Sequence, residues 1–281
     1  MERLVKISLV VVGVLSAFGS VVYGQPWLGS GVEGDPYQIW TAGDMQAIGG
    51  NSAYWDAHFE LMADIDLSAY TGTSFNIIGY YLSGDNPFTG VFDGNGHTIS
   101  NFTYTSTGTS TIGLFGYIAG DSAEVKDLGL INAEVDAGTG GEVGSLVACL
   151  WEGGTVSDCY VEGGSVSGGS AVGGLVGGSG RGTITNCYST GSVSGTDWVG
   201  GLVGKSSGTI TNCYSTGSVS GTWNVGGLVG GGGAIFNCYS TCDVLGEGYV
   251  GGLVGSKSNY GTVSNCYATG SISGTTGVGG L

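Results

Sequence analysis

Basic side chains are nearly missing from this chain. It carries 6 Lys plus Arg against 22 Asp plus Glu in 281 residues, a formal net charge of −16. Two of the six, Arg3 and Lys6, lie in the first few residues. A chain this acidic repels the phosphates of nucleic acid and of anionic lipid, so neither is an expected partner. Histidine is scarcer still, with only His58 and His97. There is no H-E-x-x-H zinc helix and no G-x-S-x-G elbow with a positioned base, so neither metalloprotease nor serine hydrolase is expected. No catalytic residue, cofactor or metal site is expected. Beyond Gln25 there is no apolar run of the roughly 20 residues a spanning helix needs, so the mature chain should have no membrane span.

Glycine, by contrast, supplies 61 residues. It does not recur at every third position, which excludes a collagen helix. Apolar residues recur on schedule and mean hydropathy is +0.24, which argues against disorder. The schedule is a repeated phrase: V-G-G-L-V-G, a short Gly/Ser patch, then T-I-T-N-C-Y-S-T-G-S-V-S-G, in copies at Val172–Gly195, Val199–Gly221 and Val225–Gly246. The central leucines are Leu146, Leu175, Leu202, Leu228, Leu253 and Leu281. A period of this size means an array of small units that stack.

Each unit is β-branched and aromatic where it is apolar (Val199, Val203, Ile210, Tyr214, Val219 in one copy) and Gly, Ser, Thr or Asn elsewhere. Three brief strands and three turns per unit would make one coil of a β-solenoid, with rungs about 4.8 Å apart. The expected fold is all-β: a right-handed parallel β-helix with a small N-terminal α/β cap. The interior should hold the central Leu, the Ile of T-I-T-N, the Val of G-S-V-S and the Cys. Cys159, Cys187, Cys213, Cys238 and Cys266 share one repeat position. Their parallel Cβ vectors disfavour disulfides, so they should form a column of buried thiols. Asn186, Asn212, Asn237 and Asn265 precede them. Two compatible readings apply to these Asn: a side-chain ladder along the axis, and a left-handed bend.

The next position holds Tyr160, Tyr188, Tyr214, Tyr239 and Tyr267. If Cys points in, these point out. They are a candidate surface for stacking on a cell-surface glycan or protein, or else an aromatic ladder that stabilises the solenoid alone.

Residues 1–24 read as a signal peptide: a basic start, an apolar core at Ile7–Phe18 and a small-residue exit. The chain should therefore be secreted or displayed at the cell surface. Residues 25–60 read as the cap, with a strand at Asp35–Thr41 and a helix begun by a Thr41/Asp44 capping box, Met45 and Ile48 facing the core. Residues 61–140 read as irregular first coils, opening with a strand across His58–Leu67, and 141–281 as the repeats, cut off in mid-motif. Gly144-Ser145-Leu146-Val147-Ala148 departs from the phrase, which predicts an irregular coil there. Asp64 and Asp66 face one side of a strand, and Asp93-Gly94-Asn95-Gly96 has half the oxygens of a calcium loop. Outward strand acids and a hairpin-type turn are the plainer readings of the two.

The units Gly174-Leu175-Val176-Gly177, Gly201-Leu202-Val203-Gly204, Gly227-Leu228-Val229-Gly230 and Gly252-Leu253-Val254-Gly255 resemble the GLUG motif. Ala63–Ser68 and Phe92–Ile99 resemble the coils that precede such repeats, so the likeness covers roughly residues 35–281. It implies a secreted or surface protein of bacteria, some of whose relatives are adhesin-like and some of which carry a separate peptidase domain. The expected role is a non-catalytic structural or adhesive module. The alternatives are a polysaccharide-binding or polysaccharide-active β-helix, or a spacer for a catalytic domain beyond Leu281.

Overall fold

The computed structural model describes residues 27–81, 85–257 and 261–281. The expected signal peptide lies outside the described residues. The chain winds as a parallel β-solenoid whose rungs form four sheets of 13, 8, 7 and 6 strands. Every strand pair within these sheets is parallel. The motif segments stack as adjacent rungs: Val147 is in register with Val176, Val176 with Val203, Val203 with Val229, and Val229 with Val254. Leu146, Leu175, Leu202 and Leu228 each donate a backbone N–H to the Leu carbonyl of the next coil, at 2.9–3.1 Å. Those four and Leu253 are fully buried and form one aliphatic column.

A coil has more corners than the three-strand expectation. Between Val172 and Val199 the chain forms Val176–Gly180, Thr183–Thr185, Tyr188–Ser189, Ser192–Ser194 and Asp197–Gly200. Five short pieces arise because Gly and Asn break each run after two to five residues. In the next two coils the first two pieces fuse into Val203–Thr211 and Val229–Phe236, which joins two limbs into the 13-stranded sheet. The interior expectation holds: Ile184, Ile210 and Ile235 (of T-I-T-N or its variants), Val193 and Val219, and Cys187, Cys213 and Cys238 are all buried.

Two local readings need correction. The Gly144–Ala148 coil is regular, with Leu146 buried and Val147 in register on both sides. Backbone pairing tolerates Ser145 and Ala148 because both remain small. His58–Leu67 is two strands, His58–Leu61 and Ile65–Asp66, which belong to different sheets. Its alternation continued across a corner, which periodicity alone cannot see.

The first coils are built on aromatics, with Phe59, Phe88, Phe92, Phe102 and Phe115 fully buried, whereas the repeats use Leu, Val and Ile. Tyr37–Ile39 is the first rung, and its outer edge is met by an antiparallel bridge from Leu28 to Gln38. The helix Ala42–Gly49 lays Met45 and Ile48, both buried, onto this end of the core. The Thr41 hydroxyl accepts from the Asp44 N–H at 3.1 Å and the Asp44 carboxylate accepts from the Thr41 N–H at 2.9 Å, so the capping box forms as read.

Candidate functional site: side-chain ladders and an acidic groove

Three ladders run along one corner of the solenoid. Asn186, Asn212, Asn237 and Asn265 are left-handed, with φ of 53–55°, and each side chain also bonds along the axis. Asn265 donates to Asn237 at 3.1 Å, Asn237 to Asn212 at 3.2 Å, Asn212 to Asn186 at 3.1 Å, and Asn186 to the Asp158 carboxylate at 2.9 Å. Both readings of these residues are therefore correct at once.

The thiols next to them do more than fill space. The N–H of Cys187 donates to the Cys213 sulfur at 3.4 Å, and the same contact joins Cys213 to Cys238 and Cys238 to Cys266 at 3.3 and 3.4 Å. At a left-handed bend the backbone N–H misses the carbonyl of the next rung, and the sulfur takes its place. All seven cysteines are free. Burial pushes the Cys187 thiol well up, while the neighbouring Cys187 thiol is the main cause of the upward shift at Cys213.

The tyrosines stack face to face, ring centroids 4.7–5.1 Å apart and planes within 5° of parallel. The Tyr160 ring fills the space over Gly129, where a Cβ would lie 2.4 Å from it, so the bottom of the stack is closed as well. Tyr160, Tyr188, Tyr214 and Tyr239 thus present edges and hydroxyls to solvent rather than ring faces. Tyr267, 54% exposed, is the end ring. Tyr188 Oη donates to Glu162 at 2.7 Å, and burial followed by this carboxylate raises its pKa.

The carboxylate pair read from the sequence is engaged in holding corners. Asp64 accepts from the Thr98 N–H at 2.8 Å and lies 3.3 Å from His97 Nδ1, and Asp66 accepts from Ser68 and Asn101, both at 2.9 Å. These hydrogen bonds, led by the Thr98 N–H and by Asn101, lower both pKa values. Asp93 Oδ1 accepts from the Asn95 N–H at 2.7 Å, but the flanking strands lie in different sheets, so this turn is a coil corner and not a hairpin.

The register also builds a groove that the linear sequence conceals. Glu60, Asp93 and Lys126 align on successive rungs, beside His58, Val91 and Glu124 on the neighbouring outward column. With Glu33 they line an open depression of about 440 Å³. Lys126 pairs with Asp93 at 2.9 Å, and that hydrogen bond raises its pKa. No group of three potential ligands in metal-binding geometry occurs among the described residues. One letter pattern escaped the sequence reading: Gly204-Lys205-Ser206-Ser207-Gly208 spells G-x-S-x-G. Ser206 is buried within Val203–Thr211, its oxygen accepts from the Gly208 N–H at 3.1 Å, and both histidines belong to the first coils, so it is no nucleophile elbow.

The family profile of the GLUG motif matches residues 168–194, 199–220 and 246–273. These repeats are GLUG motifs. The matched segments carry Leu175, Cys187 and Tyr188, Leu202, Cys213 and Tyr214, and Leu253, Cys266 and Tyr267, while Leu228, Cys238 and Tyr239 continue the same columns between them. Among relatives, the chain is 37% identical over 185 residues to halomucin of Haloquadratum walsbyi, covering 63% of this chain and 2% of that protein. It is 37% identical over 105 residues to a protein of Evansella cellulosilytica provisionally named a Gly-rich membrane protein, covering 36% of this chain and 12% of the relative. It thus spans a small part of either. Among solved structures, one from Bacteroides ovatus provisionally named an immunoglobulin A1 protease aligns with a TM-score of 0.69 at 25% identity, covering 90% of this chain and 86% of the other. The GLUG coils therefore sit in a β-helix that recurs beyond this chain.

Proposed function

We propose that this chain is a non-catalytic extracellular module of a surface or secreted protein, a stiff β-helical rod that presents side-chain rows or carries neighbouring segments outward. The observation that carries this reading is that its recurrent polar and aromatic side chains are bonded to their own copies in adjacent coils. A catalytic site needs a nucleophile, a base and an orienting group converging on one point. The Asn, Cys and Tyr rows instead run parallel to the axis, which is how a scaffold stiffens itself. The GLUG repeats and the names halomucin and Gly-rich membrane protein support a surface setting. The name of the Bacteroides ovatus structure raises the rival reading of a peptidase. Incubating the full chain with immunoglobulin A1 and with casein decides between them. The expected outcome is intact substrate on prolonged digestion; cleavage that tracks the purified chain would overturn the reading. Antibody labelling of intact native cells, expected to be positive, checks the setting separately.

A further inference from the structure

Only four basic residues are described in this −16 chain, and three of them, Arg181, Lys205 and Lys257, lie in the repeats. Lys126 is neutralised by Asp93, but none of the other three has a carboxylate partner among the described residues. Lys205 and Lys257 both line one depression of about 330 Å³. Its shape follows from register. Lys205 pairs across rungs with Gly231, and Gly231 with Ser256, so the two lysines are carried two rungs apart, about 10 Å. The rung between them is Gly230-Gly231-Gly232-Gly233, where the preceding copy reads G-K-S-S. The floor is therefore bare backbone.

Trp198 forms the wall. A Cβ on Gly231 would fall 1.9 Å from the indole, so only glycine admits the ring there. Lys205 Nζ stands 5.0 Å from that ring's centroid, held by a cation–π contact that leaves its N–H groups free for a ligand. The coil itself imposes a left-handed backbone at this column, since Glu142, Ala171, Asn224 and Tyr249 share it, so the bend alone does not require a tryptophan there. Beyond Lys205 the surface continues into a second depression of about 190 Å³ with Trp151 and Glu142 in its lining.

We propose that the depression between Lys205 and Lys257 binds the carboxylate of an acidic sugar unit within an otherwise neutral glycan. Two ammonium groups, of which Lys257 also donates to the Gly261 carbonyl at 2.7 Å, stand over a bare-backbone floor edged by the Ser207 and Ser256 hydroxyls, and together they match one carboxylate in a ring of hydroxyls. The acidity of the rest of the molecule disfavours polyanions, which selects an isolated negative group. The neighbouring unit would lie toward Trp151, where Glu142 can accept a sugar hydroxyl.

Calorimetric titration of the full chain with cellobiouronate, its methyl ester and cellobiose tests this. Saturable binding of the acid is expected, weakened about tenfold or more in the ester, in Lys205→Gln and in Lys257→Gln, since charge-assisted hydrogen bonds are removed. Arg181→Gln, outside the depression, should bind as the parent does. Absence of saturable binding to the acid, equal binding of acid and ester, or an equal loss in Arg181→Gln would overturn the proposal. Both lysines are exposed, and unchanged circular dichroism of each variant keeps a folding defect from being mistaken for a binding one.

Discussion

At the residue scale, the cysteines show how one side chain serves the core and the backbone together. The sulfurs of Cys213, Cys238 and Cys266 each occupy the column and accept the N–H of the preceding coil's cysteine, which the bend would leave without a partner. The native thiols should be inert to a disulfide-exchange reagent until the chain unfolds, with Cys266, only partly buried, reacting first. A thiol whose pKa rises on folding holds its proton more tightly in the native chain. Its contribution is therefore whole below pH 9.0, the ordinary thiol value, and is lost as pH climbs above that toward the raised native values. Denaturant midpoints measured from pH 7 to 10.5 should fall above about 9 in the parent and fall less in a Cys213→Ala variant. The burial of these thiols was legible from their shared repeat position. Their hydrogen-bonding role was not, because it depends on the φ of the preceding Asn and on the next coil's sulfur, which no single copy of the phrase contains.

At the scale of the element, each rung gains little alone and much from its neighbours. Tyr188–Ser189 or Ser192–Ser194 would not persist as an isolated strand. Leu202 packs inside while its backbone bonds to the coils on either side. Leu202→Ala should cost about 2–5 kcal/mol, because the column has no freedom to collapse onto the gap. Equilibrium urea unfolding of the variant measures that loss. The GLUG rungs, their spacing and their inward residues were all readable, since a repeat displays its own register. The corners were not. His58–Leu67 keeps its alternation through a change of sheet, and Asp93–Gly96 has the letters of a hairpin turn where the chain only bends. In both cases the deciding contact is to another coil.

At the scale of the whole molecule, period matters more than any one residue. Removing residues 200–225 takes out one full turn and joins equivalent positions, since Val199 and Val225 are in register. That shortened chain should keep a single cooperative melt, whereas removing half as many residues puts every later rung out of register and should abolish it. Thermal unfolding followed by circular dichroism distinguishes the two. The same dependence on register explains why both depressions were invisible in the linear sequence. Glu60, Asp93 and Glu124 lie over sixty positions apart end to end, and the Lys205/Lys257 recess exists because a glycine rung intervenes.

The amide row of Asn186, Asn212, Asn237 and Asn265 has a sense, because every side chain gives its hydrogen toward the amino-terminal end. A file of identical amides could reverse in unison at no loss of bonds. Asp158 forbids it, since an ionised carboxylate can receive a hydrogen but has none to give. One anion at the foot of the file thereby orients four dipoles above it and gives an otherwise repetitive edge an electrical head and tail.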